Sequence, residues 1–468
     1  MIDRVNKIVV VGGGISGLAA AHRLLELDQS TQVILIEASE RLGGTIRTTH
    51  RDGFLLERGP DSFISEKPQA LALAKRLGLE SRLIETNEKC RRSFIVRNGR
   101  LRPVPEGFQL LAPSRIWPFI ASDIFTLTGK LRMAADLFLP RKGTNGISDE
   151  SLASFVRRRL GQEALERMAQ PMVGGIYTAD PETLSLRATL PRFLDMEREH
   201  RSLIIAMLRQ GRATKRGTSG ARYSLFLSFD RGMQVLVDAL SPIKVDMRLN
   251  TRVEGLRQDG STWAIATNTG EQIQADAICL AVPAYIAASL LSDTDQALAH
   301  KLRQIKYAST ATINFAYRRA AIAHPLNGFG FVVPFVEKRS LIACTFSSVK
   351  FSGRAPDQHV LLRAFAGGAL QPEIFALAET ELAKRVEADL RDLLGISEPP
   401  LFVEVAKWER SMPQYEVGHL DRIKEIENSL HELPGITLAG NAYHGAGIPD
   451  CIRSGEAAAE FLAAGERG

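Results

Sequence analysis

The apolar residues of this chain fall into short runs punctuated by glycine-rich turns, and a strand followed by such a turn and a helix is legible near both ends. Residues 7–11 are a β-branched run that leads directly into Gly12-Gly13-Gly14-Ile15-Ser16-Gly17, after which Leu18, Ala21, Leu24 and Leu25 recur at helical spacing. A second apolar run, residues 33–36, ends in Glu37. Further on, residues 231–282 predict a short helix (Val235, Leu236, Ala239, Leu240), a strand to Leu249, and a hairpin turning at Asp259-Gly260 and Asn268-Thr269-Gly270. A buried strand closes this stretch before Pro283. At the other end, residues 436–439 read as a strand, residues 440–452 as a Gly-rich turn, and residues 453–463 as a helix. Residues 105–220 are expected to be mostly helical. They contain an apolar stretch (Leu110, Leu111, Ile116, Trp117, Phe119, Ile120, Ile124, Phe125, Leu127, then Leu137, Phe138 and Leu139) that fits a pocket wall or an interfacial surface. Pro118 and Asp123 interrupt it, so a spanning helix is not expected.

The first glycine turn has the spacing that holds a pyrophosphate. Gly12 permits the tight turn, Gly14 lets the backbone approach the phosphates, and Gly17 lets helix and strand pack closely. Glu37, 20 residues after Gly17, stands where a carboxylate accepts ribose hydroxyls. It is followed by Ala38-Ser39-Glu40-Arg41-Leu42-Gly43-Gly44-Thr45, whose glycine pair lets the backbone pass beside a bound cofactor. This stretch resembles the extended flavin-binding signature of the glutathione-reductase-like flavoproteins, particularly the monoamine oxidase and protoporphyrinogen oxidase branch. The resemblance implies non-covalently bound FAD, with NAD as the alternative. It also implies an α/β chain, α+β overall, in which a Rossmann FAD-binding domain (residues 1–85, 230–290 and 430–468) is interleaved with a mixed-sheet and helical substrate-binding domain (residues 86–229 and 291–429).

Several blocks resemble the porphyrinogen oxidases of haem biosynthesis: Glu57-Arg58-Gly59-Pro60-Asp61-Ser62-Phe63, the residues from Gln170 to Asp180, those from Glu199 to Ile204, those from Trp408 to Tyr415, and Gly445-Ala446-Gly447-Ile448-Pro449-Asp450-Cys451-Ile452. This likeness implies a six-electron, O2-dependent oxidation of a porphyrinogen with release of hydrogen peroxide, coproporphyrinogen III or protoporphyrinogen IX being the substrate. It adds Gly59, Pro60, Asp61, Trp408, Gly440, Gly447, Ile448 and Pro449 to the cofactor site, and Val253 as a backbone contact to the adenine. Gly174, Gly175 and Ile176 would lie over the reacting methylene bridge, their carbonyls facing the developing positive charge; an ordinary Gly-Gly turn is the alternative. Phe331 and Phe346 are expected as pocket walls, and Lys67 and Arg92 as propionate partners, against the plainer reading of solvated cations. Membrane-bound relatives carry an Arg where this chain has Ser93, which favours the coproporphyrinogen-using type.

Composition narrows this little further. The 468 residues exceed one simple core, and the four cysteines, Cys90, Cys279, Cys344 and Cys451, form neither a zinc spacing nor a disulfide framework. The charged start with no signal-like run fits a cytoplasmic chain, with peripheral contact to the membrane's inner face open. Of the net charge of +6, residues 82–102 hold seven basic and two acidic side chains, and residues 187–222 nine and three. These segments give +11 and leave −5 elsewhere, which places the basic excess on the substrate side and removes nucleic acid as a partner. The second segment ends in a loop, residues 211–217, that reads as mobile and solvated. A hand-off of product to a chelatase, and a monomer or homodimer, fit the same picture. No metal pair or nucleophile motif is present, so placement against the flavin carries the expected chemistry. An amine oxidase, a carotenoid-type desaturase, or a flavin-free binding module of the Rab-GDP dissociation inhibitor kind are the alternatives on this fold. Replacing Glu37 by Ala is expected to lower FAD occupancy, because the ribose loses its acceptor while the site stays buried; the flavin absorbance per protein of the purified variant checks this.

Overall fold

The structure is a computed structural model that describes residues 6–141, 149–213, 226–241 and 244–465. The basic loop expected at residues 211–217 lies largely outside the described residues. A five-stranded parallel sheet runs in the order Asp246–Arg248, Gln32–Ile36, Lys7–Val11, Ala277–Leu280, Ile436–Leu438. Parallel strands buried on both faces need continuous apolar runs, and Ile8 to Val11 and Val33 to Ile36 are all buried. Helices Ile15–Leu27 and Ile448–Ala463 pack against each other over one face, where a Cβ on Gly455 would lie 2.1 Å from the Ser16 carbonyl oxygen. The last helix starts at Ile448, five residues earlier than its apolar pattern predicts, because Pro449 occupies its first turn, where a missing N–H costs nothing.

The antiparallel strands Val253–Asp259, Thr262–Thr267 and Gln272–Ala275 form the expected hairpin and cover the opposite face. This core runs past the boundaries expected at residues 290 and 430. Leu298, Ala299 and Leu302 of helix Gln296–Arg303, and Ile423 and Ile426 of helix His419–His431, share it with Val9 and Ile34.

A mixed seven-stranded sheet forms the second layer, in the order Phe402–Pro413, Tyr307–Arg318, His359–Gly367, Ala343–Phe346, Gly330–Val332, Ser93–Arg97, Arg100–Pro103. One face is closed by the amphipathic helix Glu379–Leu394, which buries Leu382, Val386, Leu390, Leu393 and Leu394. The other face looks towards the 57–61 segment of the first body. Residues 114–213 are helical wherever they are described as regular structure. The helices around Phe108, Phe155 and Phe193 are pinned by a buried ion pair, Asp136 Oδ1 accepting from Arg159 Nε at 2.7 Å, with Asp136 Oδ2 accepting from Ser202 Oγ at 2.6 Å. Among the described residues no helix is long and apolar enough to cross a membrane.

Candidate active site

The nucleotide end is built by two loops pressed together. Gly12 has φ +107°, and a Cβ there would sit 2.4 Å from the Ala281 carbonyl oxygen; a Cβ on Gly17 would sit 1.9 Å from the Gly12 carbonyl oxygen. Both positions admit only glycine. Gly43 donates to the Gly13 carbonyl at 2.8 Å and aligns as a parallel bridge with Gly14, while Gly44 packs on the Gly14 Cα. Ile15 and Ser16 are buried in the first turn of the helix, Gly14 caps it with no side-chain hydrogen bond, and a Cβ on Gly14 would meet nothing within 4 Å. An uncapped helix N-terminus opening on free space is a cradle for an anion, so these residues fit a pyrophosphate. Glu37 closes the side of this cradle, accepting from Gly13 N at 2.7 Å and Ser39 N at 2.8 Å, next to exposed Ala38 and Thr45. Its backbone pairs with Arg248 and Thr251, which brings Val253 to the same edge.

The segment from Glu57 to Asp61 crosses between the two bodies. Three successive carbonyls are bound by side chains of the seven-stranded sheet: Glu57 O by Asn314 Nδ2 at 3.2 Å, Arg58 O by Thr312 Oγ1 and by Trp408 Nε1 at 2.8 Å, and Gly59 O by Arg363 Nη2. Trp408 thus reaches the 57–61 segment through its indole N–H. Beneath them lies a buried ionic cluster. Lys350 Nζ is 3.0 Å and Arg363 Nη1 3.3 Å from Asp61 Oδ2. Burial opposes ionisation of Asp61, but the two cations prevail and hold its carboxyl well below the usual range. Glu57 accepts from Met233 N and Thr48 Oγ1, yet burial pushes its carboxyl up to about 7. Sequence reading missed Lys350, Arg354 and Arg363 altogether.

At the C-terminal turn, Gly447 caps the last helix without a side-chain bond, and Gly440, at φ +136°, opens on free space. Ile448 and Pro449 are buried, and Asp450 in the same first turn pairs with Lys67 Nζ at 2.6 Å. The ammonium expected to meet a propionate therefore already has a carboxylate partner, although half of the Lys67 side chain stays exposed. Tyr415 secures this turn, its hydroxyl donating to Asn441 O at 2.6 Å and accepting from Gly445 N at 2.8 Å. Its ring stacks on His419 at 4.0 Å, and His419 Nε2 donates to Tyr443 O at 3.1 Å.

The flavin containing amine oxidoreductase family matches this chain over residues 15–462. The chain belongs to that family, in its porphyrinogen oxidase branch. The coproporphyrinogen III oxidase of Bacillus subtilis is 35% identical over 98% of both chains, and the chloroplastic protoporphyrinogen oxidase of Nicotiana tabacum is 30% identical over 95% of this chain and 83% of its own length. A crystal structure of an Exiguobacterium protein assigned as a protoporphyrinogen oxidase superposes with a TM-score of 0.88 at 31% identity, covering 98% of this chain and 99% of that one. Putrescine oxidase, at 17% identity and a TM-score of 0.69, shares the fold.

In this flavoprotein the residues expected on the substrate side are placed differently from one another. Gly174, Gly175 and Ile176 form the last turn of helix Gln170–Tyr177, not a loop, and the Gly174 carbonyl is taken by Thr178 N at 2.9 Å, so it is not free to face a substrate. Ile176 is half exposed, and Gly175 faces Val332. A π-helical turn, Leu165–Ala169, precedes this helix, a feature that no local pattern announced.

The two phenylalanines require correction. Side chains alternate along a strand, and Phe331, paired with Cys344, and Phe346, paired with Leu362, sit on the parity that faces helix Glu379–Leu394. Both are buried in that core. The opposite parity carries Val332, Thr345 and Phe365, each only partly buried, towards the 57–61 segment. Arg92 is exposed, with no ion pair among the described residues, whereas Arg82, Arg91, Arg97, Arg102 and Arg187 of the basic segments are matched by Asp230, Glu88, Glu163, Asp123 and Asp421. These five arginines of the basic segments are therefore compensated locally rather than displayed.

His419 is fully buried, and burial pulls its pKa from 6.5 down to about 4, with Arg422 and His444 adding to the effect. A depressed pKa contributes stability that is fully present above the unfolded value of 6.5 and is lost as pH falls towards 4. About 3 kcal/mol should disappear across that window. Urea unfolding at stepped pH checks it, and a His419→Phe variant, which keeps the stack on Tyr415, should flatten this part of the slope.

Proposed function

We propose that this chain is an FAD-dependent porphyrinogen oxidase of haem biosynthesis that uses dioxygen, releases hydrogen peroxide, and takes coproporphyrinogen III in preference to protoporphyrinogen IX. The observation that carries this reading is the uncapped, glycine-walled cradle at Gly14 and Gly43 in a chain similar over nearly its whole length to coproporphyrinogen III oxidases. When bound, FAD supplies the hydride acceptor and passes the electrons on. The chain's part is placement. The first-turn amides after Gly14 bind the pyrophosphate, Glu37 orients the ribose, and the turn from Gly445 to Pro449, steadied by Tyr415, directs a second helix N-terminus at the pyrimidine edge of the ring. Contacts of this kind hold FAD without a covalent bond.

A porphyrinogen lies between the half-exposed Ile176 and the sheet face of Val332, Thr345 and Phe365. Carboxylates at its rim meet Lys67, whose ammonium Asp450 keeps in one place, and Arg92. Gly175 gives the macrocycle room beside the sheet. Since the electron-rich pyrroles themselves stabilise the cation formed as hydride leaves, no acid–base pair is required at the bridge. An amine oxidase would need an aromatic cage, and Tyr443, the aromatic residue of the C-terminal turn, is buried in the cofactor-sheet core instead. The product, a planar tetracarboxylate, suits direct transfer to a chelatase; a monomer or homodimer serves equally.

Peripheral membrane contact belongs to the same reading. Trp117 and Phe138 are each 81% exposed, beside Ile116, Ile120, Leu127 and Leu131, with Arg115 and Lys130 among them, on a chain that acts inside the cytoplasm at its inner face. Vesicles containing anionic lipid should co-sediment the protein at low salt, and Trp117→Glu should release it.

The reading itself is tested by incubating the yellow protein with each reduced porphyrinogen and following porphyrin fluorescence above the autoxidation control. The ratio of kcat/KM should favour the tetracarboxylate, and Lys67→Ala should raise KM several-fold more than it lowers kcat, because propionates bind away from the reacting bridge. No acceleration with either substrate refutes the assignment.

A further inference from the structure

One cross-strand row of the seven-stranded sheet is polar where its neighbours are apolar. Ser93, Gly330, Thr345, Arg363, Asn314 and Glu404 stand side by side across six strands, on the face that looks at the 57–61 segment. Arg363 lies at its centre and is only 4% exposed. Its Nη2 donates to Gly59 O, its Nη1 approaches Asp61, and its Nε and Nη1 have no hydrogen-bond partner among the described residues; neither does the neighbouring Asn314 Oδ1.

Charge in this region does not balance. Lys350, Arg354 and Arg363 are all buried, against Glu57 and Asp61. Asp61 is shared between two of the cations, both oxygens of Glu57 are occupied by Met233 N and Thr48 Oγ1, and Arg354 is bound to Ser228 Oγ and Phe229 O at 2.9 Å. A buried cation in excess of its carboxylates is costly unless it meets negative charge elsewhere. The segment that Arg363 holds by a carbonyl is the one expected beside the flavin, and a flavin gathers negative charge when it is reduced.

We propose that Arg363 is a positioning residue that ties the Gly59 carbonyl to the sheet and, by placing an under-compensated positive charge behind residues 59–61, raises the reduction potential of the bound flavin. The inference rests on the flavoprotein reading and on residues 59–61 facing the cofactor, but not on which substrate is oxidised. Positive charge favours the reduced, more negative form, so removing it lowers the potential, and removing the counter-carboxylate raises it.

The test is equilibration of the holoenzyme with reference dyes under anaerobic conditions, with no porphyrinogen present, so that a failed substrate assay and a failed potential are separate results. Arg363→Met is expected to lower the ratio of reduced to oxidised flavin at a fixed dye potential by at least tenfold, about 30 mV for a two-electron couple. Arg363→Lys, which keeps the charge, should stay close to the parent. Asp61→Asn should shift the potential upward, and it decides the matter if Arg363→Met fails to fold or to retain flavin. An unchanged potential in flavin-loaded Arg363→Met, an equal fall in Arg363→Lys, or an unchanged or lowered potential in Asp61→Asn overturns the proposal.

Discussion

Backbone carbonyls that leave water must find donors, and the joint between the two bodies of this protein is organised around that requirement. The segment from Glu57 to Gly59 leaves the short hairpin of strands Thr48–Arg51 and Phe54–Glu57 and runs across the interior with its carbonyls away from any strand partner. Side chains of a different sheet supply the missing donors, at an energetic return of roughly 1 kcal/mol each and a larger penalty for any one left unmade. Because Asn314, Thr312, Arg363 and Trp408 are fixed on adjacent strands, the spacing of the carbonyls is dictated by the 4.7–4.9 Å repeat expected of a sheet. The 57–59 segment thereby inherits the rigidity of the seven-stranded sheet.

Charge reinforces the same joint. Asp61 stays ionised in a buried setting only because Lys350, at the end of the short helix Ser347–Lys350, and Arg363, on a strand, converge on it from about 300 residues away. The carboxylate, the lysine and the arginine would each be expensive alone in this interior. Together they make the approach of the two bodies selective, since a displaced sheet would strand at least one charge.

Much of the nucleotide end was legible in the chain itself. Gly12, Gly14, Gly17 and Glu37 announce a local device, complete within about 30 residues, and a local device leaves a local pattern. The second glycine pair is legible for the same reason, and the structure sets it directly against the first. The substrate side is written differently. Whether Phe331 or Val332 faces the 57–61 segment depends on parity within a strand whose partners come from residues 93–97 and 343–346, and both parities are apolar there, so the family likeness that offered Phe331 and Phe346 as pocket walls had no local pattern to check it. Lys67 looked like a free cation because its partner, Asp450, is 383 residues distant. Arg363 and Asn314 lie in strands whose sequences read as ordinary core, and only their register, Asn314 opposite Arg363, brings them under the carbonyls of Glu57 and Gly59.

The order of strands in the parallel sheet also constrains how this protein is made. The Lys7–Val11 strand precedes its neighbour Ala277–Leu280 by some 270 residues, and the outer strand Ile436–Leu438 with the helix packed on Ile15–Leu27 follows later still. At roughly 5–20 residues per second, the phosphate loop waits for tens of seconds with one edge of its apolar strand unpaired, only Gln32–Ile36 having been made beside it. Helix Ile15–Leu27 likewise waits for helix Ile448–Ala463 to cover it. A chain cut ahead of residue 436 would lose the outer strand together with the helix packed on Ile15–Leu27, so the helix that the first glycine turn opens would stand without its partner although the turn itself is intact.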